Sequence, residues 1–254
     1  MPTVKWNAAT WNGGYDWSNA GEEWSQAWGG SESQWYGSIL SRLGSYFPVR
    51  TILEIAPGYG RWTRFLLRRC VRLVGIDLSE ECAQFCRNRF AGYPRAKFYV
   101  NDGKSLKAVA DGTVDFVFSF DSLVHADEDI LESYVAQIAG KLTPNGIGFI
   151  HHSNLGACAP GTANGNQRAA SMTADKFVAF CRSASLACIS QEIVNWGQPE
   201  LVDCLSVFTP AGSVWDRPLR RLENPRFMLE ADMLQAISSL YHPAPSSGSG
   251  GSRS

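Results

Sequence analysis

Three observations predict an α/β chain built on a doubly wound sheet. Residues 47–210 alternate short β-branched runs with segments of helical periodicity. The strand-like runs are nearly continuous in apolar residues, the pattern of parallel strands covered on both faces. The last two runs are separated by too few residues for a crossover helix, so they should pair antiparallel. The expectation is a seven-stranded sheet of five parallel strands plus a final antiparallel hairpin.

The elements follow in order. TILEIA (51–56) is the first strand, followed by the glycine turn PGYG and the helical stretch RWTRFLLRRC. RLVGID (72–77) is the second strand, and LSEECAQFCRNRF the next helix, with Ser79 as its N-cap. KFYVND (97–102) and VDFVFSFD (114–121) are the third and fourth strands. The helix EDILESYVAQIAGKL is closed by the Pro and Gly of TPNG, and IGFIHHS (147–153) is the fifth strand. The helix TADKFVAFCRSAS and the strands CISQEIVNW and CLSVFT complete the unit.

The flanks differ from this core. Residues 1–46 carry Trp6, Trp11, Trp17, Trp24, Trp28 and Trp35, six of the nine tryptophans. Trp24 and Trp28 stand at i, i+4 before a Gly-Gly break, and Ser31 with Gln34 forms a capping-box pattern that starts a second helix. Six tryptophans in a short cap exceed what packing needs, so a helical lid is expected, with WNGGYDW as its mobile part. Residues 211–243 form a C-terminal helical extension, capped by Asn224 and opened by Pro225. Its stripe of Met233, Leu234, Ile237 and Leu240 needs burial, on this domain or against a second copy in a homodimer. Residues 244–254, rich in Ser and Gly, read as a disordered tail or linker.

Composition narrows the function. A chain of 254 residues that is 44% hydrophobic suits one core of ordinary size. A net charge of −1 lacks the basic excess of a nucleic-acid binder. No apolar run approaches the ~18 residues of a membrane span, and the N-terminus lacks a secretory signal. Seven cysteines without a CxxC pair read as reduced thiols in a cytoplasmic protein.

Candidate chemistry gathers at the carboxyl ends of the strands, where open α/β sheets bind ligands. Gly58 and Gly60 sit between strand and helix, where backbone can approach a ligand. Asp77 ends the next strand at a separation that suits a carboxylate on ribose hydroxyls. Glu54 lies inside an apolar strand, so a cationic or donating partner is expected beside it. Asn101, Asp102 and Gly103 end the third strand on the same edge.

These residues carry a resemblance. EIAPGYG resembles the first motif, acidic-x-Gly-x-Gly-x-Gly, of the class I S-adenosylmethionine-dependent methyltransferases. Asp77, Asp102, FSFDSLVH and LTPNGIGFI resemble the later motifs, and the likeness spans roughly 50–210. It implies a Rossmann-like fold with S-adenosyl-L-methionine as methyl donor. By the resemblance Glu54 faces the methionyl ammonium, and Gly58 and Gly60 lie beneath the amino-acid part. Asp77 takes the ribose, Asp102 the adenine amino group, and Phe120 lines the site. Ala56, Tyr59, Leu78, Asn101 and Gly103 complete the cofactor site. Ala56 departs from the pattern: it stands at the usual first glycine, and its backbone is not expected to take positive φ. A dinucleotide-binding alternative lacks the third glycine of GxGxxG and has the wrong sheet ending.

Three of the four histidines converge on this edge: His125, His151 and His152. Adjacent strand residues point to opposite faces, so His151 and His152 cannot both enter the cleft; Phe149 should share a face with His151 and Ile150 with His152. Pattern leaves open which one does. A hydroxyl acceptor gains from a histidine base worth ~10²–10⁴-fold; His152 and His125 are the leading candidates, with Asp121 orienting. Trp24 and Trp28 are candidate stacking faces for the acceptor. The long polar loop 156–171 borders its site, with Asn164, Asn166, Gln167 and Arg168 as hydrogen-bond donors and Asn154 at its start. These features, with the neutral charge, favour a sugar or glycosylated natural product as the small-molecule acceptor. Rival readings are an N- or C-methyltransferase acting on a small metabolite and a cofactor-binding, non-catalytic partner subunit. A Mg²⁺ held by Asp121, a strand-5 histidine and Asn154 is considered and not favoured, because hard cations prefer more carboxylates. His242, before the tail, is assigned no role.

Overall fold

The computed structural model of the chain describes residues 3–241; His242 and the Ser/Gly tail lie outside them. An N-terminal layer comprises α1 (Val4–Trp11), a 3₁₀ segment Glu22–Trp28, α2 (Ser31–Gln34), a π-helical turn Trp35–Ile39 and α3 (Leu40–Leu43). The sheet domain then runs β1 (Val49–Ile55), α4 (Thr63–Leu66), β2 (Cys70–Asp77), α5 (Glu80–Arg89), β3 (Ala96–Val100) and β4 (Val114–Ser119). It continues with α6 (Glu128–Lys141), β5 (Leu142–Ser153), α7 (Ala174–Ser183), β6 (Leu186–Val194), β7 (Asp203–Pro210), β8 (Arg220–Asn224) and α8 (Phe227–Tyr241).

The sheet has the order β3-β2-β1-β4-β5-β7-β6-β8. Strands β1 to β5 are parallel, and β7 pairs antiparallel with both β5 and β6. The expected hairpin is therefore present, but the sheet has eight strands rather than seven. The extra one, β8, pairs parallel with β6 from Ser190↔Arg220 to Val194↔Asn224. Its sequence RRLEN is polar because it lies at an edge with most side chains in solvent. An apolar-run criterion cannot see such a strand.

Strand alternation divides the core in two. Leu53, Ile55, Val117 and Ile150 face α6 and α7, with Phe177 and Phe180. Ile52, Phe116, Phe118 and Phe149 face the other way, against Trp35, Trp62, Phe65 and Phe227. The N-terminal layer and α8 thus cover one side of the sheet. In α8, Phe227 and Ala231 are buried and Leu234 packs on Gly37, whereas Met233, Ile237 and Leu240 stay exposed. The expected stripe is split rather than wholly covered.

Several boundaries differ from expectation. The helix after the glycine turn is only four residues long, and Cys70 already belongs to β2. The TPNG segment is taken into β5, which starts at Leu142 directly after α6. Ser79 does cap α5, accepting from the Cys82 N–H. Ser31 does not cap: Gly30 occupies the N-cap position of α2, and the Ser31 hydroxyl is drawn instead to Glu22 and Arg64. Asn224 accepts from the Arg226 N–H ahead of α8, which starts at Phe227.

Candidate active site

At the carboxyl ends of β1, β2 and β4 lies a cavity of about 410 Å³, within the range of small-molecule sites. Its wall is shared by the glycine turn, Asp77 and Leu78, Phe120 and Asp121, His125, and the aromatic N-terminal layer. Arg168 and Trp196 close the far side.

The glycine turn is shaped by two different needs. Gly58 has φ +57°, and a Cβ there would lie 2.9 Å from the Trp17 indole. Gly60 has φ +80°, but its open face meets Phe90 of the α5 end at 2.5 Å, so it serves packing and does not line the cavity. Ala56 corrects an expectation: it does take positive φ, +56°, while its N–H bonds the Ile76 carbonyl. The left-handed conformation costs a non-glycine residue ~1–2 kcal/mol, an amount that surrounding hydrogen bonds can hold. Ala56→Gly should therefore raise stability by up to ~1 kcal/mol, less the extra chain entropy of glycine, readable as a higher urea midpoint at unchanged slope.

Asp77 is buried at the cavity wall, accepting the Ser79 N–H at 2.8 Å and the Gly58 N–H at 3.0 Å. Burial pushes its carboxyl up to about 6 against these donors. Glu54 is also buried, and its partner is the Thr63 hydroxyl at 2.6 Å, a donor rather than a cation. Its second oxygen has no partner among the described residues. Burial pushes Glu54 up to about 8, with Asp77 adding to the shift. Glu54 is not among the residues lining the cavity.

At the end of β3 the expected assignment changes. Asp102 is exposed and closes a surface turn, accepting the N–H groups of Lys104 and Ser105, which hold its carboxyl below the usual range. It does not reach the cavity. Asn101 faces inward and donates to the Tyr134 hydroxyl at 2.9 Å. Gly103 and Tyr134 line the cavity, whose end here is apolar through Ile76, Leu123, Ala126 and Ile130. Tyr59 lines it too, stacked between Trp17 and Phe85.

The histidines separate as strand geometry requires. His152 stacks on Phe177 on the α7 face with Ile150, and its ring nitrogens meet the Ser153 carbonyl and the Ser206 hydroxyl. Burial pushes it down to about 4. It lies away from the cavity, so its expected place in the cleft is corrected. His151 shares the Phe149 face, packed between Phe120 and Trp196, one layer behind the cavity wall. His125 does line the cavity, with its Nδ1 3.0 Å from the Gln167 carbonyl and its ring beside Trp6 and Trp11. Burial lowers its pKa.

Among the candidate acceptor residues, Trp24 and Arg168 line the cavity, as do Asn166 and Gln167. Trp28 is buried against Trp196 and Phe227 instead. Asn154 is structural, donating to the Leu201 carbonyl and accepting from the Ala174 N–H. Asn164 likewise bonds both ways with the backbone of Arg168. Asp121, proposed to orient a histidine through its carboxylate, turns that carboxylate to Arg61 at 2.8 Å. The three side chains considered as Mg²⁺ ligands are thus each engaged elsewhere and do not converge.

The N-terminal layer supplies cavity residues that pattern alone did not assign. Helix α1, within the segment expected to form a helical lid, lies across the mouth: Asn7 donates to the His125 carbonyl and the Trp11 carbonyl accepts from Ser79. Trp11, Tyr15, Trp17 and Trp24 form one cluster along the wall. Arg61 is buried over Trp24 and Trp62 and donates to Ser25 and Asp121. Asp203, at the head of β7, takes Arg168 at 2.8 Å.

Residues 52–146 match a family model described as a methyltransferase domain. The fold is similar to that of the PH0226 protein of Pyrococcus horikoshii, 20% identical over 71% of this chain and 93% of that one, TM-score 0.55. It is also similar to an S-adenosylmethionine-dependent methyltransferase of Clostridium acetobutylicum, 13% identical over 75% and 92%, TM-score 0.55. The family match thus shows a methyltransferase domain over residues 52–146. The structural likeness speaks for the methyltransferase fold alone, since a solved [4+2]-cyclase, SpnF, is equally similar at TM-score 0.54, 15% identical over 71% and 82%. Among curated proteins, ribosomal RNA small subunit methyltransferase A of Acidobacterium capsulatum is 44% identical over 54 residues, 21% of this chain. The match spans 19% of that protein, so the chain covers about a fifth of the length of the curated relatives it matches. Among the described residues no helix is long and apolar enough to cross a membrane.

Proposed function

We propose that the protein transfers a methyl group from S-adenosyl-L-methionine to a hydroxyl of a small molecule, a sugar or glycosylated natural product being the first choice. The observation that carries the donor is Asp77, a buried carboxylate on the cavity wall beside a glycine turn at positive φ. The apolar end formed by Ile76, Leu78, Leu123, Ala126 and Ile130 fits a nucleobase. When bound, the donor supplies an electrophilic methyl group on a sulfonium.

The remaining work falls to this chain. Asp77 orients the ribose, and Leu78, Gly103 and Phe120 shape the walls. His125, the histidine on the cavity, takes the acceptor proton, and its lowered pKa keeps it unprotonated at neutral pH. The tryptophans offer flat faces to a sugar ring, and the layer 3–30 excludes water from the reacting groups. A cavity of about 410 Å³ and a net charge of −1 favour a small acceptor over a nucleic acid.

A screen of acceptors with labelled donor, reading the product by mass, tests this reading. His125→Ala should lower kcat by ~10²–10⁴-fold, and the acid limb of the wild-type profile should inflect below the ordinary imidazole value of 6.5. An unchanged kcat in that variant would favour an N- or C-methyltransferase needing no base, and donor binding without turnover would favour a partner subunit.

A further inference from the structure

Behind the cavity wall runs a line of buried polar contacts that the transfer reaction as read above does not use. Arg168, on the polar loop, ion-pairs with Asp203 of β7. Asp203 Oδ2 lies 3.2 Å from Nε2 of His151 on β5, an electrostatic contact without hydrogen-bond alignment. Nδ1 of the same ring accepts the backbone N–H of Asp121 at 3.1 Å. Asp121 in turn pairs with Arg61, and both arginines line the cavity. His151 and Asp203 are fully buried.

The backbone of Asp121 explains why an imidazole stands there. Asp121 has φ +60°, a left-handed conformation that non-glycine residues adopt only when the surroundings hold it. It follows directly after Phe120, past the end of β4, where its N–H has left the strand ladder. A neutral imidazole with its proton on Nε2 presents Nδ1 as a bare acceptor, which meets this N–H while the Nε2 proton faces Asp203.

We propose that His151 is a positioning residue for the methyl-transfer site: its Nδ1 holds Asp121 in the left-handed conformation, so that the Asp121 carboxylate meets Arg61 at the cavity wall. The inference rests on the transfer reading for its effect on rate, but not for the hydrogen bond itself. It also answers why two histidines stand together on β5. His152 packs the far face of the sheet, and His151 sets the near one. The relation expected from pattern is inverted, since the histidine orients the aspartate.

Two isosteric variants separate this role from simple neutralisation of Asp203. His151→Asn retains an acceptor near the Nδ1 position and loses the group facing Asp203. His151→Gln retains a donor near the Nε2 position and loses the acceptor for Asp121. In uniformly ¹⁵N-labelled wild-type protein, a ¹⁵N–¹⁵N coupling across the hydrogen bond should link the Asp121 amide to His151 Nδ1. Its absence would overturn the proposal even if neither variant folds. With labelled donor and an acceptor pool from cell extract, His151→Gln should lose turnover by ~10–100-fold, the scale of a misplaced wall group. Its affinity for S-adenosylhomocysteine should stay within about threefold, and His151→Asn should keep most of the turnover. Wild-type turnover in His151→Gln, or the reverse order of the two variants, would contradict the proposal. Failure of wild-type protein to bind S-adenosylhomocysteine would instead overturn the donor reading and leave the coupling to decide the positioning role.

Discussion

Replacing Asp203 with alanine should cost the fold about 3–5 kcal/mol, the scale seen when one partner of a buried ion pair is removed. Arg168 would lose the carboxylate that takes its Nε and a terminal nitrogen, and its buried guanidinium would be left over the Trp196 face. His151 would lose the charge opposite Nε2. Burial alone would raise the Asp203 carboxyl, but Arg168 and His151 outweigh it and hold it well below the usual range. A carboxyl depressed in the folded state contributes stability that is present above its unfolded value and lost as pH falls through the folded one. For Asp203 that loss begins near the ordinary value of 3.8 and continues below it. Urea unfolding near pH 7 and near pH 3 measures both effects: Asp203→Ala should lower the midpoint sharply at pH 7, with a smaller gap at pH 3. Equal midpoints at pH 7 would mean the pair contributes nothing net.

Glu54 behaves in the opposite sense. Its carboxyl is pushed up to about 8 from an ordinary 4.5. Between those values the folded protein holds a proton that the unfolded chain has released, so stability falls as pH rises across the interval. The full loss is on the order of 5 kcal/mol once Glu54 is ionised in both states. Asp77, pushed up to about 6, adds to the same trend over a narrower range. Glu54→Gln keeps an oxygen for the Thr63 hydroxyl and removes the ionisation. The variant should match the wild type near pH 4 and exceed it by several kcal/mol near pH 9. Parallel stability curves for the two proteins would show that Glu54 is not held protonated by its surroundings.

Much of the sheet was legible because buried parallel strands leave continuous apolar runs, and the alternation around Phe149, Ile150, His151 and His152 correctly divided the two imidazoles between faces. Strand β8 escaped because an exposed edge carries Arg and Glu where a central strand carries Val and Ile. Residues on the cavity wall were legible where a turn or strand end fixes them, as at Gly58, Asp77 and Phe120. Asp102 was misplaced because sequence order puts it at the right strand end, while its side chain is satisfied by the N–H groups of its own turn. Arg61, Asp203 and Trp196 were invisible as a group: their pairing joins segments far apart in the chain. The αL backbone of Ala56 and Asp121 is likewise imposed by tertiary contacts that neither side chain advertises.

The rim around Asp77 is the proposed seat of the nucleoside-bearing methyl donor. Isothermal titration of the full chain with S-adenosylhomocysteine tests it most directly, comparing wild type with Asp77→Asn and confirming by melting that the variant is folded. The account predicts one saturable site in the wild type, weakened at least ~10–100-fold when the carboxylate that takes the ribose hydroxyls becomes an amide. No binding to the wild type, or equal affinity in the folded variant, would contradict it.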